Sequence, residues 1–137
     1  MTSISKLMCG IILLTVPTIQ YGGYFLLTIL SGKQDSLMLT DFQKAMFRAG
    51  HAHAGVLVIL SLVCQLLADH ASLSNTMNWF VRIGFPVAAI LVSAGFFAAA
   101  SGKNVNQPTS AIFILYTGVL LLAASLIVLG IGMLKAR

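Results

Sequence analysis

Charge is what this chain most lacks. Only 8% of its 137 residues are charged and 58% are hydrophobic, whereas a soluble domain carries about 25% charged residues. So few charges cannot cover a water-facing surface, which excludes an ordinary soluble domain. Acidic residues number three in all, with none deep in an apolar run. Proton-coupled carriers usually keep an acid inside the membrane, so this scarcity weighs against one. Cysteine is nearly missing too. Cys9 and Cys64 both fall in apolar runs, and two thiols so spaced make no disulfide framework. They read as small buried apolar residues. There is no His-Glu-x-x-His, no Gly-x-Ser-x-Gly and no carboxylate pair, which removes the hydrolytic classes that use them. Whether the chain is an enzyme of another kind stays open. Its net charge of +5 is spread along the connections. Without a basic stripe it does not point to nucleic acid, and it suits a membrane surface.

Long hydrophobic runs are what the chain has. They cover Leu7 to Leu30, Phe47 to Ala68, Trp79 to Ala100 and Ala111 to Leu134. Each is near the roughly 20 residues that cross a bilayer. The pattern predicts an all-α, polytopic membrane protein: one four-transmembrane-helix domain over 1–137, with spans at about 7–30, 47–69, 79–101 and 111–134. The run after Lys6 is too long for the apolar core of a secretory signal. It ends at Thr28 to Ser31 without a small-x-small cleavage site, so an uncleaved first span is expected.

Local signals refine the boundaries. Thr40-Asp41-Phe42-Gln43 has the form of a capping box, which starts the second helix near Asp41, before the membrane. Asp41 and Lys44, three apart, are placed to pair there. Gly102 suits the end of the third helix and Pro108 lies just before the fourth. Pro17 and Pro86 fall inside spans, where each frees a carbonyl four residues back and predicts a kink. Gly84, Ala88, Ala89, Ser93, Ala94, Gly95 and Ala98 make the third helix dense in small residues, which allows close helix approach. With both termini on one side, Lys6, Arg82, Lys135 and Arg137 stand against Lys33, Lys44, Arg48 and Lys103. The positive-inside rule gives no vote at such a tie. The basic C-terminus leans towards cytoplasmic termini.

The segment that draws attention is Arg48-Ala49-Gly50-His51-Ala52-His53-Ala54-Gly55, at the head of an apolar run. Ionisable side chains are expensive at that depth, so each is a functional-site hypothesis. With the midplane near Val58, His53 lies roughly 7 Å and His51 roughly 10 Å from it. The same depth falls on Gln20, Tyr21 and Tyr24 of the first helix, Ser93 of the third and Tyr116 of the fourth. The alignment predicts one polar layer in one half of the bilayer. The competing reading is an aromatic belt with histidines that only hydrogen-bond within the bundle. His51 and His53 lie about 200° apart on a helix and cannot chelate one ion together; that takes a spacing of three or four. The His53 face continues through Leu57, Leu60 and Cys64. The His51 face continues through Gly55, Val58, Leu62 and Gln65, and either can meet the bundle. His70 is about 28 Å along the helix from His51, at the opposite surface.

His51-Ala52-His53-Ala54-Gly55 with its following Val/Leu run resembles the helix heads of membrane proteins related to the haem-copper oxidases, the nitric-oxide-response type being the nearest comparison. The resemblance implies that His51 or His53 ligates haem b or a transition metal. Arg48 then pairs with a propionate or another anion at the headgroup level. Gln20, Tyr21, Tyr24 and Tyr116 would complete the surroundings. Those families supply further histidines from other helices. Here the first, third and fourth helices hold none, so a second ligand would come from a homo-oligomer or a larger membrane complex. As a whole the chain resembles small bacterial four-helix membrane proteins, which would place it in the bacterial inner membrane. Three functions are expected in order: a haem- or metal-binding bundle, an accessory or assembly subunit without a cofactor, and a small proton-coupled transporter.

Overall fold

A computed structural model describes residues 1–32 and 39–137; Lys33 of the charge tie lies outside them. It contains α1 (Ser3–Leu30), α2 (Asp41–Ala68), α3 (Asn75–Ala99) and α4 (Ile112–Lys135). All four are long and apolar enough to cross a membrane. The fold is an all-helical four-helix bundle, as the hydrophobic runs predict. The helix α3 is the most buried of the four and packs against both α2 and α4, while α1 packs on α2.

Three helices begin earlier than the apolar runs suggest. Hydropathy marks where the membrane starts, whereas a cap marks where the helix starts. Thr2, Thr40 and Ser74 each accept a bond from the backbone N–H three residues on, at Ser5, Gln43 and Met77. Such a cap satisfies a donor that has no partner inside the helix and contributes about 1 kcal/mol. The capping box at Thr40 and Gln43 forms in both halves. It also does more than cap. Gln43 is buried, and its Nε2 donates to the carbonyls of Ala100 and Gly102 at 2.9 Å each. The Thr40 hydroxyl donates to the Val105 carbonyl. The start of α2 is thereby fastened to the α3–α4 connection. Asp41 and Lys44 pair at 3.5 Å on the surface.

The small residues of α3 act as expected. A Cβ on Gly95 would fall 2.6 Å from the Leu115 Cα, and one on Gly118 of α4 would fall 2.7 Å from the Val92 nitrogen. Gly84 packs directly on Ser125. Backbones can approach this closely only where side chains are missing. Pro86 leaves the Arg82 carbonyl without its helical donor. The Gln65 side chain of α2 fills that role, its Nε2 donating to the Arg82 carbonyl at 2.8 Å.

Candidate functional site

The helix α2 carries His51 and His53 to different neighbours. The His51 ring lies against Gly22 and Gly23 of α1. A Cβ on Gly23 would sit 3.2 Å from both Cε1 and Nε2 of that ring. Two glycines in a row thus let α1 close over an imidazole. The His53 ring turns towards α3 and stacks on Phe96 with centroids 4.8 Å apart and a tilt of 31°. Its Nδ1 is 2.7 Å from the Ala49 carbonyl oxygen. A carbonyl only accepts, so Nδ1 donates in this bond, and in the neutral ring Nε2 is then the nitrogen with the lone pair. His53 is exposed on the outer surface of the bundle.

The other members of the sequence-derived layer do not gather around these rings. Gln20 is exposed, as are Tyr21 at 72% and Tyr24 at 64%. Tyr116 is also exposed and meets Phe113 edge-on at 6.1 Å. They ring the outside of the bundle, the placement of interfacial aromatics. Arg48 is exposed near the start of α2, and Ser93 is buried on α3. His70 is exposed beyond the far end of α2. Among the described residues no three His, Cys, Asp or Glu side chains converge on a point. These side chains do not by themselves close around a metal ion.

The best-connected polar centre lies at the opposite end, and the sequence reading passed over it. Arg82 sits inside α3 with 3% of its side chain exposed and pairs with Asp69, 6% exposed, at 2.8 Å. Its Nη1 donates to the Ser5 hydroxyl at 2.8 Å and to the Gln65 carbonyl at 3.1 Å. Its Nε donates to the Asn78 side-chain oxygen. Asp69 accepts further bonds from the Thr2 N–H at 2.9 Å, the Thr2 hydroxyl at 2.8 Å and the Ser5 hydroxyl. Burial disfavours the Asp69 carboxylate, but the bonds from Ser5, Thr2 and Arg82 outweigh it and hold the group well below the usual carboxylate range. Three helices meet in this cluster: α1 through Ser5, α2 through Gln65 and Asp69, α3 through Arg82. A signal was available. Arg82 stands three residues inside an apolar run, and the rule that singles out intramembrane histidines applies to it equally. Counting it as a connection charge hid it.

No family model, curated protein or solved structure matches this chain.

Proposed function

We propose that this chain is a multi-pass protein of the bacterial cell membrane in which His53 presents one axial imidazole to haem b. The observation that carries the proposal is the bond from His53 Nδ1 to the Ala49 carbonyl. Ligating histidines almost always donate their other ring N–H to a carbonyl or carboxylate, which fixes the tautomer and orients the ring. His53 has that bond, and Phe96 supports its ring plane. Arg48 lies five residues earlier and about 140° around the helix from His53, nearer the His51 flank, so it does not share the His53 face. When bound, the haem would supply a redox-active iron. Binding and orienting it would fall to His53 and Phe96. Any further ligand would have to come from a second copy or another membrane subunit, and a transition-metal ion would need the same outside help.

The test is an absorption spectrum of the purified protein with and without added haemin. Wild type and His70→Asn should both give a Soret band, and His53→Asn should not. His51→Asn should retain it, because that ring is turned towards α1.

The accessory-subunit reading stands second, favoured by the outward Tyr21, Tyr24 and Tyr116 and by the exposed Phe113 and Leu120 of α4. A wild-type protein that takes up neither haem nor metal, yet purifies with a stoichiometric membrane partner, would put this reading first. The transporter reading gains no support, since Asp69 is held ionised by its partners.

A further inference from the structure

The outward edge of α2 carries a group whose needs the rest of the chain does not meet. His53 is exposed. Yet it lies roughly 7 Å from the midplane, well inside a hydrocarbon layer that extends about 15 Å to each side. Its Nδ1 is turned back to the Ala49 carbonyl at 2.7 Å. In the neutral ring Nε2 then holds a lone pair and no proton. Phe96 covers the face of the ring and not that nitrogen's edge. Among the described residues Nε2 has no donor, and bilayer hydrocarbon offers none. Its partner must come from another molecule at the same depth.

The surface beside His53 leaves room for one. Ala45, Ala49, Ala52 and Val56 fall within about 100° of it around α2, all on the side turned away from α1. Ala45, Ala52 and Val56 are exposed, and none of the four carries a charge. Methyl side chains let a flat group or a second backbone come close.

A second copy meets the depth requirement by symmetry. Two chains related by a two-fold axis along the membrane normal carry His53 at one level and turn the same surface to each other. In such a pair the two rings cannot bond directly, because each Nδ1 proton is committed to Ala49 and each Nε2 only accepts. An electron-pair acceptor between them satisfies both, and haem iron takes axial ligands of this kind. Within one chain no other imidazole is placed to serve. His51 is turned towards Gly22 and Gly23 of α1, and His70 lies beyond the far end of α2.

We infer that a second copy of this chain completes the site, the partner's His53 supplying the second axial imidazole and the outward edges of the two α2 helices facing each other. The inference rests on the haem reading above and adds the identity of the partner.

The test uses the purified chain loaded with haemin in detergent micelles. Light scattering counts the chains, a haem assay gives the ratio of haem to chain, and electron paramagnetic resonance gives the spin state. One low-spin, six-coordinate haem per two chains is the expected result. A short bis-maleimide reads which face is shared. Ala52→Cys should cross-link several-fold more in the loaded protein than Leu14→Cys of α1 or Leu120→Cys of α4, both exposed on other faces. Wild type gives the background from Cys9 and Cys64. Five-coordinate, high-spin iron in a wild-type monomer leaves His53 as a ligand and overturns the second copy. A six-coordinate haem in a monomer, or in an equimolar complex with a different protein, overturns it as well. So does a loaded dimer that cross-links through Leu14→Cys or Leu120→Cys and not through Ala52→Cys. A wild type without any Soret band refutes the haem reading, and the inference falls with it.

Discussion

Replacing Asp69 by Leu tests the buried cluster most severely. The substitution leaves Arg82, 3% exposed, without its counter-ion and removes the acceptor for Thr2 and Ser5. Breaking one side of a buried pair costs about 3–5 kcal/mol, because the remaining charge is uncompensated. Arg82→Met alone leaves Asp69 bonded to Thr2 and Ser5 but strips the donors from Asn78 and the Gln65 carbonyl. Its cost should fall in the lower part of that range. The double variant removes both charges together and should be milder than the sum of the singles by at least about 1.5 kcal/mol, the coupling expected of groups in contact. Unfolding in mixed micelles with rising dodecyl sulfate, followed by circular dichroism, gives the three values. The cluster also sets an acid limit. The folded Asp69 carboxyl titrates below its unfolded value of about 3.9, so its stabilisation is complete above that pH and is lost as pH falls through the folded value. Wild type should therefore weaken below about pH 4, and Asp69→Leu should lose this part of the pH dependence. Additivity of the two substitutions within about 0.5 kcal/mol would refute the reasoning.

Other consequences follow from single contacts. Gly95→Leu should destabilise by about 3 kcal/mol or more in the same unfolding assay, since its side chain would meet the Leu115 backbone. Gly23→Val should push α1 off the His51 ring, and a spin label on α1 should then report a larger distance to α2. Thr40→Ala should cost about 1 kcal/mol as a lost cap. Gln43→Ala should cost more, because it also leaves the Ala100 and Gly102 carbonyls without their donor. Single cysteines at Ser74 and Asn104 should react with an impermeant thiol reagent from opposite sides of the membrane.

Four spans, the capping box and the close approach of α3 to α4 were legible because each rests on local chemistry: run length, a Thr–Gln spacing, side chains reduced to hydrogen or methyl. Level along the bundle was legible between the first two helices, where Gly22 and Gly23 meet the His51 ring, since rise per residue is fixed. Direction around the axis was not. Tyr21 and Tyr24 share a depth with His51, yet they point outwards while Gly22 and Gly23 face its ring. In a bilayer both faces of a helix are apolar, so the pattern that tells inside from outside in water is weak. Arg82 was misplaced for a related reason. A charge near a span boundary reads as a connection residue unless its partners are known, and Ser5, Gln65, Asp69 and Asn78 come from three different stretches of chain. The bond from His53 to Ala49, which now carries the functional proposal, joins residues four apart on one helix and was open to sequence reasoning from the spacing alone.

The central claim is that His53 ligates haem through Nε2. Titration of the purified protein with haemin, read in the Soret region, tests it directly when wild type and His53→Asn are compared side by side. A saturable band in wild type that is lost in His53→Asn and kept in His51→Asn and His70→Asn is the expected result. A band of equal strength in wild type and His53→Asn, or none in wild type, would contradict the claim.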